Sequence, residues 1–262
     1  MQTPIPTVLI TGASTGIGAT YADRFARRGH NLVLVARDKG RLDSLATRLR
    51  SEARVDVDVI QADLTVTADL VRVEARLRTD DRIGILINNA GAATEGTIAN
   101  ADLEAFDRLI RLNVTALTRL SGAVVPRFIE RGAGAIINMG SVVGLAPEIG
   151  LGIYGATKAY VLGLSQSMQN ELGPKGIYVQ AVLPAATRTE IWARSGRDVN
   201  ALKGVMDVNE MVDAALVGFD RREPVTIPSL PEVGQWAAFE EARRAMLPNF
   251  INAHAAARYQ LR

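Results

Sequence analysis

The sequence has no cysteine and only two histidines, His30 and His254. The absence of thiols excludes disulfides, thiolate nucleophiles and cysteine metal ligands, and with so few histidines we expect no metal site. Neither histidine lies in a recognisable motif, which argues against a Ser-His-Asp hydrolase. Lys and Arg number 30 against 28 Asp and Glu. This excess is too small to indicate nucleic acid or a membrane surface as a partner.

Long hydrophobic segments are also lacking. No run approaches the ~20 apolar residues of a membrane-spanning helix. The N-terminal stretch MQTPIPTVLITGAS has neither the basic start nor the small-residue cleavage site of a signal peptide. We therefore expect a cytoplasmic protein. Because no linker, repeat or low-complexity tract divides the chain, we predict a single domain over residues 1–262.

Short apolar runs alternate along the chain with segments of helical periodicity. Most of the runs are apolar throughout, as expected for parallel strands that are covered on both faces. The pattern predicts an α/β protein, a single-domain doubly wound parallel sheet (Rossmann fold) of about seven strands, with an irregular lid segment at about 185–206. The predicted strands are 7–11, 31–36, 55–61, 83–88, 134–140, 177–184 and 224–228, and the predicted helices are 16–28, 39–53, 66–78, 103–131, 154–172 and 207–219.

A glycine-rich segment, TGASTGIG (11–18), lies between the first strand and the first helix. Gly12 can make the turn out of the strand, Gly16 lets the backbone approach a diphosphate, and Gly18 permits close packing of helix on strand. The start of the helix presents unpaired N–H groups and a positive dipole end to phosphates. The segment predicts a dinucleotide site formed by Gly12, Ser14, Thr15, Gly16, Ile17 and Gly18.

The residues after the second strand bear on which dinucleotide is bound. NAD-selective sites place an acid at this strand end, where the sequence has Ala36. Arg37 follows, and its guanidinium can pair with a ribose 2′-phosphate; the alternative is an arginine that is only solvated. Asp38 is well placed to cap the next helix. We therefore predict that NADP(H) is favoured over NAD(H).

The Gly-x3-Gly-x-Gly spacing, followed by NNAG (88–91), Ser141 and YGATK (154–158), resembles the short-chain dehydrogenase/reductase family over about residues 7–190. The resemblance implies a catalytic tetrad of Asn113, Ser141, Tyr154 and Lys158, and a homodimer or homotetramer. The family usually has a glycine where this chain has Ala185, which would be strained if its φ were positive. Implied cofactor contacts are Asp63, Leu64, Asn89, Ala90, Gly91, Tyr154, Lys158, Pro184 and, as rivals, Thr187 and Thr189.

Tyr154 and Lys158 lie one helical turn apart, on one face of the predicted helix. Reduction of a ketone by hydride needs a proton donor at the oxygen, and an ordinary tyrosine has a pKa of ~10. An exposed pair at this spacing supplies well under 1 kcal/mol, so we expect a desolvated pocket and the positive nicotinamide ring to lower the tyrosine pKa further. Ser141 can polarise the carbonyl. By resemblance, Lys158 also binds the nicotinamide ribose and Asn113 holds a relay water.

These residues predict an NADP(H)-dependent oxidoreductase that interconverts a small-molecule carbonyl and a secondary alcohol, with Ser141, Tyr154 and Trp192 at the substrate. Taken singly, Asn113, Ser141 and the Tyr154–Lys158 pair also fit structural roles in a core, a turn and a helix surface. The alternatives are a non-catalytic NADP-binding regulatory protein and an epimerase or dehydratase of the same family. In the lid, Ile191, Trp192, Leu202, Val205 and Met206 suggest an apolar substrate, whereas Arg188, Arg194 and Arg197 leave an acidic one open.

Overall fold

A computed structural model describes residues 5–93, 98–100, 102–196 and 198–260. Within these ranges, seven parallel strands form one sheet in the order β3-β2-β1-β4-β5-β6-β7. The order reverses between β1 and β4, and ligands of doubly wound sheets bind at such a switch point. The predicted fold is confirmed. The strands are β1 (Thr7–Thr11), β2 (Leu32–Ala36), β3 (Val57–Gln61), β4 (Ile83–Asn88), β5 (Gly134–Met139), β6 (Ile177–Val182) and β7 (Val225–Thr226).

The helices agree with the predicted ones except in one segment. The helix expected over 103–131 is interrupted by a π-helical turn, Arg111–Ala116, which contains Asn113. Two helices, the short α7 and α9 in the C-terminal region, have no counterpart among the predicted helices. The helices are α1 (Gly16–Arg27), α2 (Lys39–Ala53), α3 (Thr67–Thr79), α4 (Leu103–Ile110), α5 (Leu117–Arg131), α6 (Gly152–Leu172), α7 (Ile191–Arg194), α8 (Val208–Asp220) and α9 (Val233–Ala245).

Two hydrophobic clusters cover the two faces of the sheet. Successive residues of β1 alternate between them, since side chains along a strand point to opposite faces. Val8 and Ile10 belong to the cluster that includes Phe25 of α1. Leu9 belongs to the other, which includes Leu120 of α5. Both faces are therefore buried, and this explains why the strands read as continuous apolar runs.

Contacts between residues divide the chain into two compact units, Met1–Pro228 and Ser229–Arg262. The first contains the sheet and every site residue predicted from the sequence. In the second, the rings of Trp236 and Phe239 stack with their centroids 5.4 Å apart. The single domain over 1–262 stays a prediction. Across the described ranges, no helix combines the length and apolar character needed to cross a membrane.

Candidate active site

The glycine loop after β1 has the backbone that its sequence predicts. Gly12 and Gly16 have positive φ angles, +66° and +55°, which favour glycine. A Cβ on Gly18 would lie 2.4 Å from the main-chain oxygen of Gly12, so only glycine fits this close contact of helix and strand. Thr15 begins α1 without a side-chain hydrogen bond to the helix. The N–H groups of the first turn are therefore not occupied by the Thr15 side chain, and a phosphate site requires such unoccupied groups. Ser14 and Ile17 lie half-buried along the same loop.

The end of β4 clamps the glycine loop. The Asn89 amide nitrogen donates to the main-chain oxygens of Thr11 (2.9 Å) and Gly12 (3.2 Å). In return, Thr11 Oγ1 accepts the N–H groups of Asn89 and Ala90, each at 3.0 Å. The asparagine side chain thus satisfies backbone groups where the strand stops, as the NNAG motif predicts. Thr11 completes this clamp, and sequence reasoning missed it because a threonine at a strand end has no distinctive pattern.

Arg37 and Asp63 lie together beyond the ends of β2 and β3. The Arg37 side chain is 70% exposed, and its Nη1 lies 3.9 Å from Asp63 Oδ2. Asp63 also accepts the N–H of Thr65 at 2.9 Å, and Leu64 is buried in the core. Asp38 caps α2 by accepting the Arg41 N–H at 3.0 Å, as predicted. A cavity of about 330 Å³ is lined by Arg37, Gln61, Asp63, Asp69 and Arg72.

Three members of the predicted tetrad meet at the carboxyl end of β5. Ser141 follows this strand after Gly140, and its hydroxyl lies close enough to that of Tyr154 on α6 to lower the pKa of the tyrosine. Lys158 Nζ lies 5.6 Å from the centre of the Tyr154 ring. The same ammonium donates to the main-chain oxygen of Met139, the last residue of β5, at 2.8 Å. Two hydroxyls and one ammonium are thus held in one pocket.

The fourth member, Asn113, is buried in the π-helical turn. Its amide nitrogen donates to the main-chain oxygen of Ala92 (3.0 Å) and to Thr157 Oγ1 (3.1 Å), while its Oδ1 accepts the Ala92 N–H (3.0 Å). Thr157 Oγ1 donates to the main-chain oxygen of Tyr154 at 2.8 Å. Asn113 therefore ties the loop after β4 to the catalytic helix. The relay water stays a prediction, and Thr157 is a positioning residue that the sequence did not reveal.

Burial moves Tyr154 and Lys158 toward their neutral forms. It raises the pKa of Tyr154 to about 12, against a smaller lowering by the neighbouring Ser141 hydroxyl. It lowers the pKa of Lys158 to about 8. The expectation that a desolvated pocket helps to lower the tyrosine pKa was wrong, because desolvation disfavours the phenolate. Only positive charge beside the hydroxyl, or hydrogen bonds to it, can lower that pKa.

The segment after β6 places Pro184 and the two rival threonines differently. The Pro184 carbonyl accepts from Ser141 Oγ at 3.2 Å. Among described residues with positive φ, the only ones other than glycine are Arg54 and Arg222, so Ala185 is unstrained in the place of the usual glycine. Thr187 is buried, and its hydroxyl donates to the Ala185 oxygen at 3.1 Å. Thr189 instead lies on the glycine loop, with side-chain carbons 3.2 Å from where a Gly16 Cβ would be.

The two ends of the segment predicted as a lid are joined by one parallel β-bridge, between Thr187 and Met206. In this bridge, the Arg188 N–H donates to the Met206 oxygen and the Met206 N–H donates to the Ala186 oxygen, each at 2.9 Å. The half-buried Trp192 donates its indole N–H to the Thr187 oxygen at 2.7 Å, so only its ring face is available to a substrate. Arg188 bonds Asn200 at 2.9 Å. Arg197 and the side chain of Arg194 lie outside the described part of the lid.

Comparison with known proteins agrees with this geometry. The family model for short chain dehydrogenases matches residues 6–200. A short-chain dehydrogenase from Sphingobium yanoikuyae, solved in complex with NADPH, is 65% identical, with a TM-score of 0.96 over 98% of this chain and 100% of that one. A bulky-bulky ketone specific alcohol dehydrogenase from Comamonas testosteroni is 60% identical, with a TM-score of 0.92 over 99% of this chain and 100% of that one.

A very-long-chain 3-oxoacyl-CoA reductase from Macaca fascicularis is more distant. It is 33% identical over 187 residues, which are 70% of this chain and 60% of the relative. The chain thus spans less than two thirds of the length of the curated relatives it matches.

Proposed function

The chain belongs to the short-chain dehydrogenase family, and from that membership we propose that it is an NADP(H)-dependent oxidoreductase that interconverts a carbonyl and a secondary alcohol. The observation that carries the proposal is the nearness of the Ser141 and Tyr154 hydroxyls, with the Lys158 ammonium beside the tyrosine ring. Two hydroxyls that can donate to one oxygen, next to a nucleotide-type glycine loop, are what carbonyl reduction requires.

Tyr154 acts as the general acid in the reduction. NADPH, when bound, supplies the hydride that reduces the carbonyl carbon. A pKa of about 12 keeps the Tyr154 hydroxyl protonated near neutrality, so that it is ready to give its proton to the carbonyl oxygen. In the oxidation direction the phenolate takes the proton of the alcohol. The lysine charge is needed most in that direction, because it favours the phenolate.

Ser141 holds the carbonyl oxygen against Tyr154. Its proton is directed at the Pro184 oxygen in the structure, so it has to turn toward a substrate to donate. A hydrogen bond of this kind polarises the carbonyl and orients it. Lys158 is mainly an ammonium at neutral pH, since its pKa is about 8, and we assign it the nicotinamide ribose as well. The Asn113 side chain already bonds Ala92 and Thr157. A relay water at this place would therefore be held by main-chain groups.

NADP(H) fits the groove better than NAD(H). Arg37 is exposed beside Asp63 and lines the 330 Å³ cavity at the ends of β2 and β3, where a ribose 2′-phosphate would meet its guanidinium. The NADPH complex of the Sphingobium relative supports this choice. We assign the contact with the nicotinamide end of the cofactor to Thr189 rather than Thr187, because Thr189 packs against Gly16 of the glycine loop. The remaining proposed contacts are Gly12, Ser14, Thr15, Gly16, Ile17, Gly18, Leu64, Asn89, Ala90, Gly91 and Pro184.

For the substrate, we assign a ketone with a bulky group on each side of the carbonyl. The Comamonas relative with this specificity is similar over almost the whole chain, and the apolar side chains of Ile191 and Trp192 at the start of the lid suit such a molecule. A 3-oxoacyl thioester is the second candidate, supported by the very-long-chain reductases. The shorter overlap with those relatives makes it the weaker one.

An NADPH-oxidation assay with a panel of ketones tests this function. The panel includes ketones with two bulky groups, methyl ketones and a 3-oxoacyl thioester. The Tyr154→Phe variant should lose turnover by at least ~100-fold, the usual contribution of a general acid. Tyr160→Phe is the matched control, because Tyr160 is on the same helix and its hydroxyl bonds Thr118 at the surface. Equal turnover by both variants would contradict the mechanism, and NADPH binding with no turnover would favour the regulatory protein.

We also propose an assembly and a location for the protein. The family resemblance implies a homodimer or homotetramer, and α5 and α6 expose Ile129 and Tyr160 at 38% and 40%. Light scattering of the purified protein decides between a monomer and these assemblies. A cytoplasmic location remains our proposal from the sequence, and cell fractionation tests it.

A further inference from the structure

Two consecutive residues just before α7, Thr189 and Glu190, contact different parts of the proposed cofactor groove. The side-chain carbons of Thr189 lie 3.2 Å from the Cβ position of Gly16 in the glycine loop. The carboxylate of Glu190 accepts from Arg41 Nη1 with both oxygens, at 2.8 and 2.7 Å. Arg41 lies in the first turn of α2, four residues after Arg37. The beginning of the lid is thus attached both to the glycine loop and to the helix after β2.

The Arg41–Glu190 pair joins the two halves of the sheet. Glu190 belongs to the segment that leaves β6, whereas Arg41 belongs to the helix that follows β2. In the sheet order, β1, β4 and β5 lie between these two strands, a distance of about 19 Å at the usual strand spacing. The chain between β6 and Glu190 therefore crosses the carboxyl ends of β5, β4 and β1. This edge of the sheet includes the switch point where a dinucleotide binds.

We propose that the Arg41–Glu190 ion pair is a strap across the cofactor groove, which must open for NADP(H) to enter or leave and which therefore limits the rate of cofactor exchange. The inference rests on the proposed NADP(H)-dependent function. Both side chains are about half exposed, and exposed ion pairs are individually weak, so thermal opening is accessible. Asp38 Oδ2 lies 3.3 Å from Arg41 Nε and keeps the guanidinium on α2 while Glu190 moves with the lid.

A different role for Arg41 has a different signature. If Arg41 were instead a ligand of the ribose 2′-phosphate, its loss would weaken the binding of NADPH and leave the binding of NADH unaffected. In that case removal of Glu190 would tighten the binding of NADPH, because Arg41 would be free of its partner and could pair with the phosphate. A strap acts on any dinucleotide that has to pass it. Its removal therefore speeds association and dissociation together, for NADPH and NADH alike, and changes Kd little.

Stopped-flow measurement of cofactor binding by the full-length protein separates these outcomes. The variants are Glu190→Gln and Arg41→Gln. The control is Asp220→Asn, which breaks another ion pair between distant segments, Arg28–Asp220 at 2.8 and 2.9 Å with similarly exposed side chains. We expect both strap variants to raise the association and dissociation rates by about 2- to 5-fold, the range that an exposed pair supports. The control should match the wild type.

Three results would overturn the inference. Unchanged exchange rates in Glu190→Gln, with the same melting temperature as the wild type, would show that the pair is no barrier. Effects confined to NADPH, with tighter binding in Glu190→Gln, would make Arg41 a phosphate ligand instead. A wild-type protein that binds neither cofactor in calorimetry would overturn the proposed function itself, and the strap with it. That last result is distinguishable because it appears before any variant is made.

Discussion

Lys158 Nζ donates to the main-chain oxygen of Met139 at 2.8 Å, so the catalytic helix is fastened to the end of β5 by the charge that also serves Tyr154. The loop after β4 also comes close to this ammonium. Gly91 is next to it, and a Cβ there would lie 3.6 Å from Nζ and 3.3 Å from Asn113 Oδ1. The glycine leaves the side of the lysine that faces the groove accessible, which is where a ribose hydroxyl would have to approach.

The charge on Lys158 predicts a loss of activity in mildly alkaline solution. Its pKa of about 8 in the free protein means that the ammonium is lost well below the ordinary lysine range. The pH profile of kcat/KM reports groups of the free enzyme. We expect kcat/KM for carbonyl reduction to fall above a pKa near 8, because the form that holds both the Tyr154 proton and the Lys158 charge is then lost. A Lys158→Arg variant, which keeps its charge, should shift this limb upward by more than one pH unit, and an unshifted limb would contradict the assignment.

The same lysine makes stability depend on pH in a defined direction. Its folded-state pKa is lowered from 10.5 to about 8, so between these values the unfolded chain binds a proton that the folded chain lacks. Stability contributed by this group therefore rises with pH through that window. Relative to Lys158→Met, which cannot titrate, the wild type should gain up to about 3 kcal/mol in the free energy of unfolding. Urea unfolding of both proteins at pH 7 and near pH 10 measures the difference.

Arg37 should determine the preference for NADPH. Replacing it with Gln removes one of the two arginines that line the cavity shared with Asp63. We expect the KM for NADPH to rise at least ~10-fold, about the value of one charge-assisted contact, with little change for NADH. The matched control is Arg108→Gln. Arg108 pairs with Asp102 at 3.9 Å, the same separation as Arg37–Asp63, and is also exposed. A preference for NADPH that persists in Arg37→Gln would contradict the role of Arg37.

Two glycines provide a paired test of the loop packing. Gly18→Ala would bring a Cβ to 2.4 Å from the Gly12 oxygen and 2.5 Å from the Asn89 amide nitrogen. We expect this overpacking to lower the free energy of unfolding by about 1–3 kcal/mol. Gly122 lies inside α5 with no atom within 4 Å of the same position. Gly122→Ala should therefore be neutral or stabilise by up to about 1 kcal/mol. Equal effects in thermal unfolding would show that the loop is not tightly packed.

The sequence predicts the strands and most helices of this molecule better than its side-chain hydrogen bonds. β1 and β4 were predicted to the residue, because fully buried strands appear as apolar runs bounded by turn residues. The π-helical turn in the segment 103–131 was missed, since one extra residue per turn barely disturbs a helical pattern. Thr11 and Thr157 were missed for another reason. The hydrogen-bond partners of the Thr11 side chain are 76 to 79 residues away. Thr157 bonds the nearby Tyr154 oxygen, but its other partner, Asn113, is 44 residues away. No local pattern encodes such distant pairs.

Thr157→Val tests the bridge between Asn113 and the catalytic helix. Valine has nearly the same shape but no hydroxyl, so the Asn113 amide and the Tyr154 carbonyl each lose a partner. Leaving buried polar groups unpaired costs about 1–3 kcal/mol of stability. We expect kcat to fall more than KM changes, because the Tyr154 backbone is released while the groove is untouched. Thr157→Ser, which keeps the hydroxyl, should restore kcat, whereas equal kcat in the valine and serine variants would show that the bridge has no part in catalysis.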